Sequence, residues 1–225
     1  LSDMDSWFGA TKYLAGQNSG FVNVLFQDEI NDSHKFTLSL GGTADRYSED
    51  FYRKVAAQTL EPGNKVKSFY TGGVAGEYTF HAGDKFSSIV GVRGDIFEGD
   101  GFKFSPRLTV KYSPIEQIVI RANGGRGLRR ALPLIDNIGV FSTGKSFTGI
   151  YDKHILEDAW TFGGNATFYF PFGATSDTYL SLDYFGTRFR EQMVVDYDHG
   201  VNAIDFYALD GKRSYTNSYQ ADFNV

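Results

Sequence analysis

One stretch of this sequence spells a reactive-looking pattern. Gly139-Val140-Phe141-Ser142-Thr143-Gly144-Lys145-Ser146 matches the loop in which backbone amides and a lysine cradle nucleotide phosphates. That chemistry needs a buried strand before the loop and a helix after it. Here Pro133 stands close upstream and Gly149 lies three residues past Ser146, before a helix could form. The stretch is therefore read as an ordinary loop. Gly125-Arg126-Gly127 lacks the third glycine of a dinucleotide fingerprint and is read as a strand-end feature. His34, His81, His154 and His199 are singletons without a second ligand at i+2, i+3 or i+4. Asp196-Tyr197-Asp198-His199-Gly200 offers carboxylates to calcium but lacks the other oxygen ligands of a recognised loop. No Ser/His/Asp set can be assembled from spacing. No metal, cofactor or catalytic residue is expected, and the chain is not read as an enzyme. Positive charge is the remaining signal: Arg126, Arg129, Arg130, Lys145 and Lys153 gather within residues 126–155 of a chain whose net charge is −5. Such a cluster could attract an anionic ligand such as a chelate or a phosphate group, and Phe147 and Tyr151 could add stacking surface for a ring-bearing ligand or a glycan. A merely solvated loop is the alternative.

The elements that must carry these residues are strands. The 225 residues include 21 Phe, 14 Tyr, 2 Trp and 26 Gly but only 5 Pro, a mixture that favours β structure. Cysteine is absent, which removes disulfides and thiolate chemistry. The longest apolar run, Phe206 to Leu209, is far short of the roughly 18 residues of a membrane-spanning helix. No signal peptide is evident at the start, and the sequence is read as a possible piece of a longer one. Scattered bases among 27 acids argue against a nucleic-acid surface.

Apolar and polar residues alternate with a period of two. Phe104, Pro106, Leu108, Val110 and Tyr112 alternate with Ser105, Arg107, Thr109 and Lys111. Similar alternation runs through 36–43 and 160–170, and further strands fall near 20–30, 68–81, 85–97, 116–125, 177–190 and 213–225, nine in all. No segment carries a helical period. Short turns at Asn31 to His34, His81 to Asp84, Ser113 to Glu116 and Pro171 to Ser176 mark one end of the sheet. The other end carries long charged stretches at 49–67, 126–155 and 191–212, with a tight exception at Glu98-Gly99-Asp100-Gly101. The expected fold is all-β, an antiparallel up-and-down meander whose loops sort by length as those of outer-membrane barrels do. Phe36, Tyr78, Phe80, Phe86, Tyr112, Phe168 and Phe170 would form an interfacial girdle, and Trp160 would sit at the opposite interface. Gly42, Gly72, Gly76, Gly94 and Gly164 fall on the apolar face, where they let aromatics pack flat. Arg93, Asp95, Arg107, Lys111, Arg121, Asp183, Gln220 and Asp222 fall on the wet face, where Arg121 could pair with Asp95 or Asp183. A sheet with one solvated face, or a secreted β-sandwich that binds carbohydrate, is the alternative.

The run Ser105 to Pro114, followed by Val119 to Arg129 and Leu132-Pro133-Leu134-Ile135-Asp136-Asn137-Ile138-Gly139, resembles the barrel of TonB-dependent outer-membrane receptors, particularly of the Bacteroidetes type. Gln17 to Gln27, Val92-Arg93-Gly94-Asp95, Leu156-Glu157-Asp158-Ala159-Trp160 and Ser214-Tyr215-Thr216-Asn217-Ser218 fit the same order. The resemblance implies part of a 22-stranded transmembrane β-barrel in a Gram-negative outer membrane. Residues 1–225 would be a partial barrel domain, with the plug domain and the remaining strands absent. It further implies uptake of a scarce bulky solute, a siderophore, haem, cobalamin or glycan. Its partners would be its own plug, outer-membrane lipid, and the TonB complex reached through a missing N-terminal part.

Overall fold

A computed structural model describes the backbone of residues 2–9, 11–55, 58–60, 65–170 and 178–224. The strands are β1 (Ser2–Phe8), β2 (Thr11–Asn31), β3 (His34–Val55), β4 (Gln58–Leu60), β5 (Lys65–Ala82), β6 (Phe86–Phe97), β7 (Gly101–Ile115), β8 (Ile118–Ala131), β9 (Ser146–Gly149), β10 (Ile155–Phe170), β11 (Thr178–Asp196) and β12 (Ala203–Asn224). Each long strand pairs antiparallel with the next long strand, β4 pairs with β3, and β9 runs parallel to the first residues of β12. The nine strands expected from alternation are the nine long ones. All belong to one meander, with no second sheet packed on it among the described residues, so the β-sandwich alternative falls.

Turn chemistry sets the short connections. Asn31 Oδ1 accepts the Ser33 amide at 2.9 Å, closing the β2–β3 hairpin as an Asx turn. Gly99 (φ 86°) takes the left-handed conformation that the tight β6–β7 turn requires. The expected turn at Pro171 to Ser176 lies outside the described residues. The stretches expected to be irregular depart from the sequence reading. β3 runs on to Val55, β11 to Asp196, and β12 begins at Ala203, so 49–67 and 191–212 are largely extended hairpin. The segment between β8 and β10 contains a 3-10 helix, Ile135–Thr143, kinked at Asn137 where the backbone leaves the helical region, as well as β9.

Register carries each face across the sheet. Val24, Leu40, Val74, Gly94 and Phe104 form one continuous row from β2 to β7. Leu25, Ser39, Ala75, Arg93 and Ser105 form the row on the opposite face. Val24, Leu40 and Val74 are each more than half exposed, and Phe104, Leu108, Phe162 and Leu182 extend the bare apolar surface. A surface of that extent does not face water. At the end with the short turns the Phe36 and Tyr78 rings lie 4.7 Å apart, Phe80 and Phe86 lie 6.3 Å apart, and His34 Nδ1 is 2.6 Å from Tyr78 Oη. His34 therefore shares the aromatic girdle. On the same face Phe102 covers Gly94, where a Cβ would come within 2.9 Å of the ring.

The core lies at the other end, on the polar face. Tyr13 and Phe51 from β2 and β3 and Ile204 and Phe206 from β12 pack with Leu134, Val140, Phe141 and Phe147 of the β8–β10 segment. Strands from opposite ends of the sheet meet the same segment there, so the sheet curls with its polar face inward. The apolar face is convex.

Candidate functional site

The segment between β8 and β10 forms a roof over one mouth of the concave face. Its centre is Phe141, whose ring lies 4.6 Å from Tyr13, 5.4 Å from Phe51 and 5.6 Å from Phe147. Phe147 continues to Phe206 at 5.6 Å. The Tyr13 hydroxyl donates to Glu49 Oε1 at 3.0 Å, and burial beside that carboxylate drives the phenol well above its ordinary pKa. Lys145 Nζ donates to the carbonyls of Tyr197 at 2.7 Å and Gly200 at 3.2 Å. The lysine of the phosphate-loop look-alike thus pins the β11–β12 hairpin tip to the roof.

Beneath the roof is a cavity of about 730 Å³, within the usual range for small-molecule sites. Its wall is β8, β10 and β11, and its ceiling includes Asp136 and Asn137 of the 3-10 helix. Arg129 ties these parts together. Its Nε donates to Glu157 Oε2 at 3.0 Å and its terminal nitrogen lies 3.3 Å from Asp136 Oδ2. Asp136 Oδ2 also accepts the Leu132 amide at 3.0 Å, and Glu157 Oε1 accepts the Met193 amide at 3.0 Å. The β10–β11 register shifts between Asp158 and Ala159, opposite Glu191 and Phe189. Such irregularities re-aim side chains and recur beside binding sites.

The structure separates the cations that the sequence groups in one loop, because Arg126, Arg129 and Arg130 stand on β8 and only Lys145 and Lys153 lie beyond it. Arg126 is held by Asp158 through bonds of 2.8 and 2.9 Å, with a third to the Phe104 carbonyl at 2.7 Å. Arg130 donates to Asp100 at 3.1 Å and stacks over Phe69 at 4.1 Å. Phe147 is buried in the roof core. Tyr151 packs against Phe147 and lies beneath Lys65 Nζ, 5.6 Å from its ring centre. Of the six loop candidates, Arg129 alone lines the cavity. His154 meets the Phe69 ring edge-on at 4.7 Å, and burial with Arg130 nearby pushes its pKa below the ordinary imidazole value. The Asp152 carboxyl, bonded to Lys65 at 3.0 Å, is held below the usual carboxylate range.

Farther along the concave face a polar ladder crosses the strands. Glu77 pairs with Arg107. Asp95 pairs with Arg93 on its own strand at 2.7 Å, not with Arg121. Arg121 donates to Asn165 Oδ1 at 3.3 Å, and Asn165 Nδ2 donates to Asp183 at 2.7 Å and Ser181 at 2.8 Å. Asn165 thus mediates the expected Arg121–Asp183 pair, because register sets it between them on β10. Sequence reasoning missed Asn165, Asp136, Glu157 and Met193. For Asn165, Glu157 and Met193 the signal lies in pairing between strands, which one sequence does not display, and for Asp136 in the fold of the segment after β8.

Comparison with known proteins fits this geometry. Residues 2–224 match the family model described as TonB dependent receptor-like, beta-barrel. No match emerged among curated proteins. Among solved structures, the siderophore receptor PirA from Pseudomonas aeruginosa is 12% identical with a TM-score of 0.58, and the alignment covers 95% of this chain and 40% of that one. The Serratia marcescens hemophore receptor HasR, solved with its hemophore HasA and heme, is 12% identical with a TM-score of 0.61, covering 96% of this chain and 40% of that one. FpvAI in complex with pyocin S2 is 10% identical with a TM-score of 0.61, covering 95% and 30%. The chain therefore spans less than half the length of these receptors.

Proposed function

We propose, for a chain that belongs to the TonB-dependent receptor β-barrel family, that these strands form the wall of an outer-membrane receptor for TonB-energised uptake of a bulky solute. The observation that carries the reading is the sorting of the faces: a bare apolar convex surface for lipid, and a polar concave surface roofed over a cavity at the long-loop end. The solute, of the siderophore, haem, cobalamin or glycan class, is captured in the cavity and passes along the concave face. That face would meet the receptor's own plug through the Glu77, Arg107, Arg121, Asn165 and Asp183 ladder. About 22 strands would close the barrel, with chain outside these residues supplying the rest. No catalytic step is assigned.

In the full-length receptor, filling the cavity with Thr161→Trp and Thr187→Trp should abolish receptor-dependent growth when its solute is limiting, with unchanged receptor abundance in the outer membrane. Both residues line the cavity. Undiminished growth with both tryptophans in place would contradict the reading.

A further inference from the structure

We infer that the roofed cavity accepts an uncharged, hydroxyl- or amide-rich solute and disfavours an anionic chelate. The inference rests on the proposed receptor function and deepens it. A basic loop in an acidic chain suggests an anion trap, yet the structure disperses that charge. Arg126 pairs with Asp158, Arg130 with Asp100, and Lys145 donates to two backbone carbonyls; none of these three cations, nor Lys153, lines the cavity.

Arg129, the cation at the cavity, is held between Glu157 and Asp136 at 3.0 and 3.3 Å. An anion approaching the guanidinium meets two carboxylates only slightly farther away, and their summed repulsion offsets one attraction. Both carboxylates are also fixed by backbone amides, Asp136 by Leu132 and Glu157 by Met193, so they cannot swing clear without breaking those bonds. The rest of the lining is neutral. Thr161, Thr187 and Gln192 offer hydroxyl and amide groups, while Phe189, Met193 and Val195 supply apolar area. Such a lining complements a neutral ligand with hydrogen-bonding groups and an apolar flank.

A matched pair of probes tests this. Ferric trihydroxamate and ferric tricatecholate share an octahedral ferric core but carry no charge and three negative charges, respectively. The full-length receptor should retain the neutral complex at least about tenfold better. The double variant Asp136→Asn, Glu157→Gln unmasks Arg129 and should narrow that preference by about tenfold, whereas Asp100→Asn, which frees a cation outside the cavity, should leave it unchanged. Equal or tighter retention of the tricatecholate by the natural receptor, or retention of neither complex, overturns the inference. Failure of the receptor reading itself is read separately, as receptor-dependent growth on the limiting solute that continues in cells lacking TonB.

Discussion

Replacing Phe141 with alanine is expected to release the roof from the concave face while leaving the barrel wall intact. Phe141 is 1% exposed and its ring contacts Phe8, Tyr13, Phe51 and Phe147, so truncation leaves a void among rings anchored on three separate strands and the roof itself. A buried Phe→Ala change costs about 3–5 kcal/mol. The cost falls on the roof because Phe141 is the residue through which the 3-10 helix grips β2 and β3. Hydrogen exchange on the full-length receptor checks this at the Ser146 and Ile150 amides, which bond to the carbonyls of Asn202 and Phe206. Their protection should fall roughly a hundredfold to a few thousandfold, with amides in the paired centre of β6 and β7 unchanged. Unaltered protection at Ser146 and Ile150 would mean that the roof does not depend on this core.

The second large effect concerns the convex face. Leu40 stands six residues beyond the β3 start at His34, about 20 Å along the strand. At a tilt of about 40° that is about 15 Å of depth, close to the bilayer midplane. Leu40→Arg should cost about 2–4 kcal/mol in the unfolding of the full-length receptor from lipid vesicles. Ser39→Arg, one residue away on the concave face, should stay within about 0.5 kcal/mol. Equal penalties at the two positions would remove the assignment of the faces.

The nine long strands were legible because a strand with one lipid face and one wet face must alternate, as Phe104 to Tyr112 does. The same physics explains what was not legible. Past the apolar belt both faces of a hairpin are wet, so residues 49–55 and 191–196 lose the alternation and read as loop although they stay paired. The roof was hidden differently. Val140, Phe141 and Phe147 stand among Gly, Ser and Thr in a stretch without strand or helix periodicity, and their partners Tyr13 and Phe206 are far away in sequence. The apolar residues were themselves a signal, since a solvated loop has no use for two buried phenylalanines. The cations were visible and their partners were not: Arg129 faces Glu157 and Arg126 reaches Asp158 only through the β8–β10 register. A count of basic residues therefore overstated the positive charge at the site.

In the proposed receptor, alternate residues of each long strand face lipid and an aqueous lumen. These 225 residues hold no cysteine, so single cysteines introduced among them report on that alternation once any cysteine elsewhere in the full-length receptor is replaced. Single cysteines placed in turn at Phe104, Ser105, Pro106, Arg107, Leu108, Thr109 and Val110 of the full-length receptor, in intact outer membranes, would be exposed to a water-soluble maleimide. Labelling at 105, 107 and 109 with protection at 104, 106, 108 and 110 is the predicted result. Uniform labelling, or the reverse alternation, would contradict it.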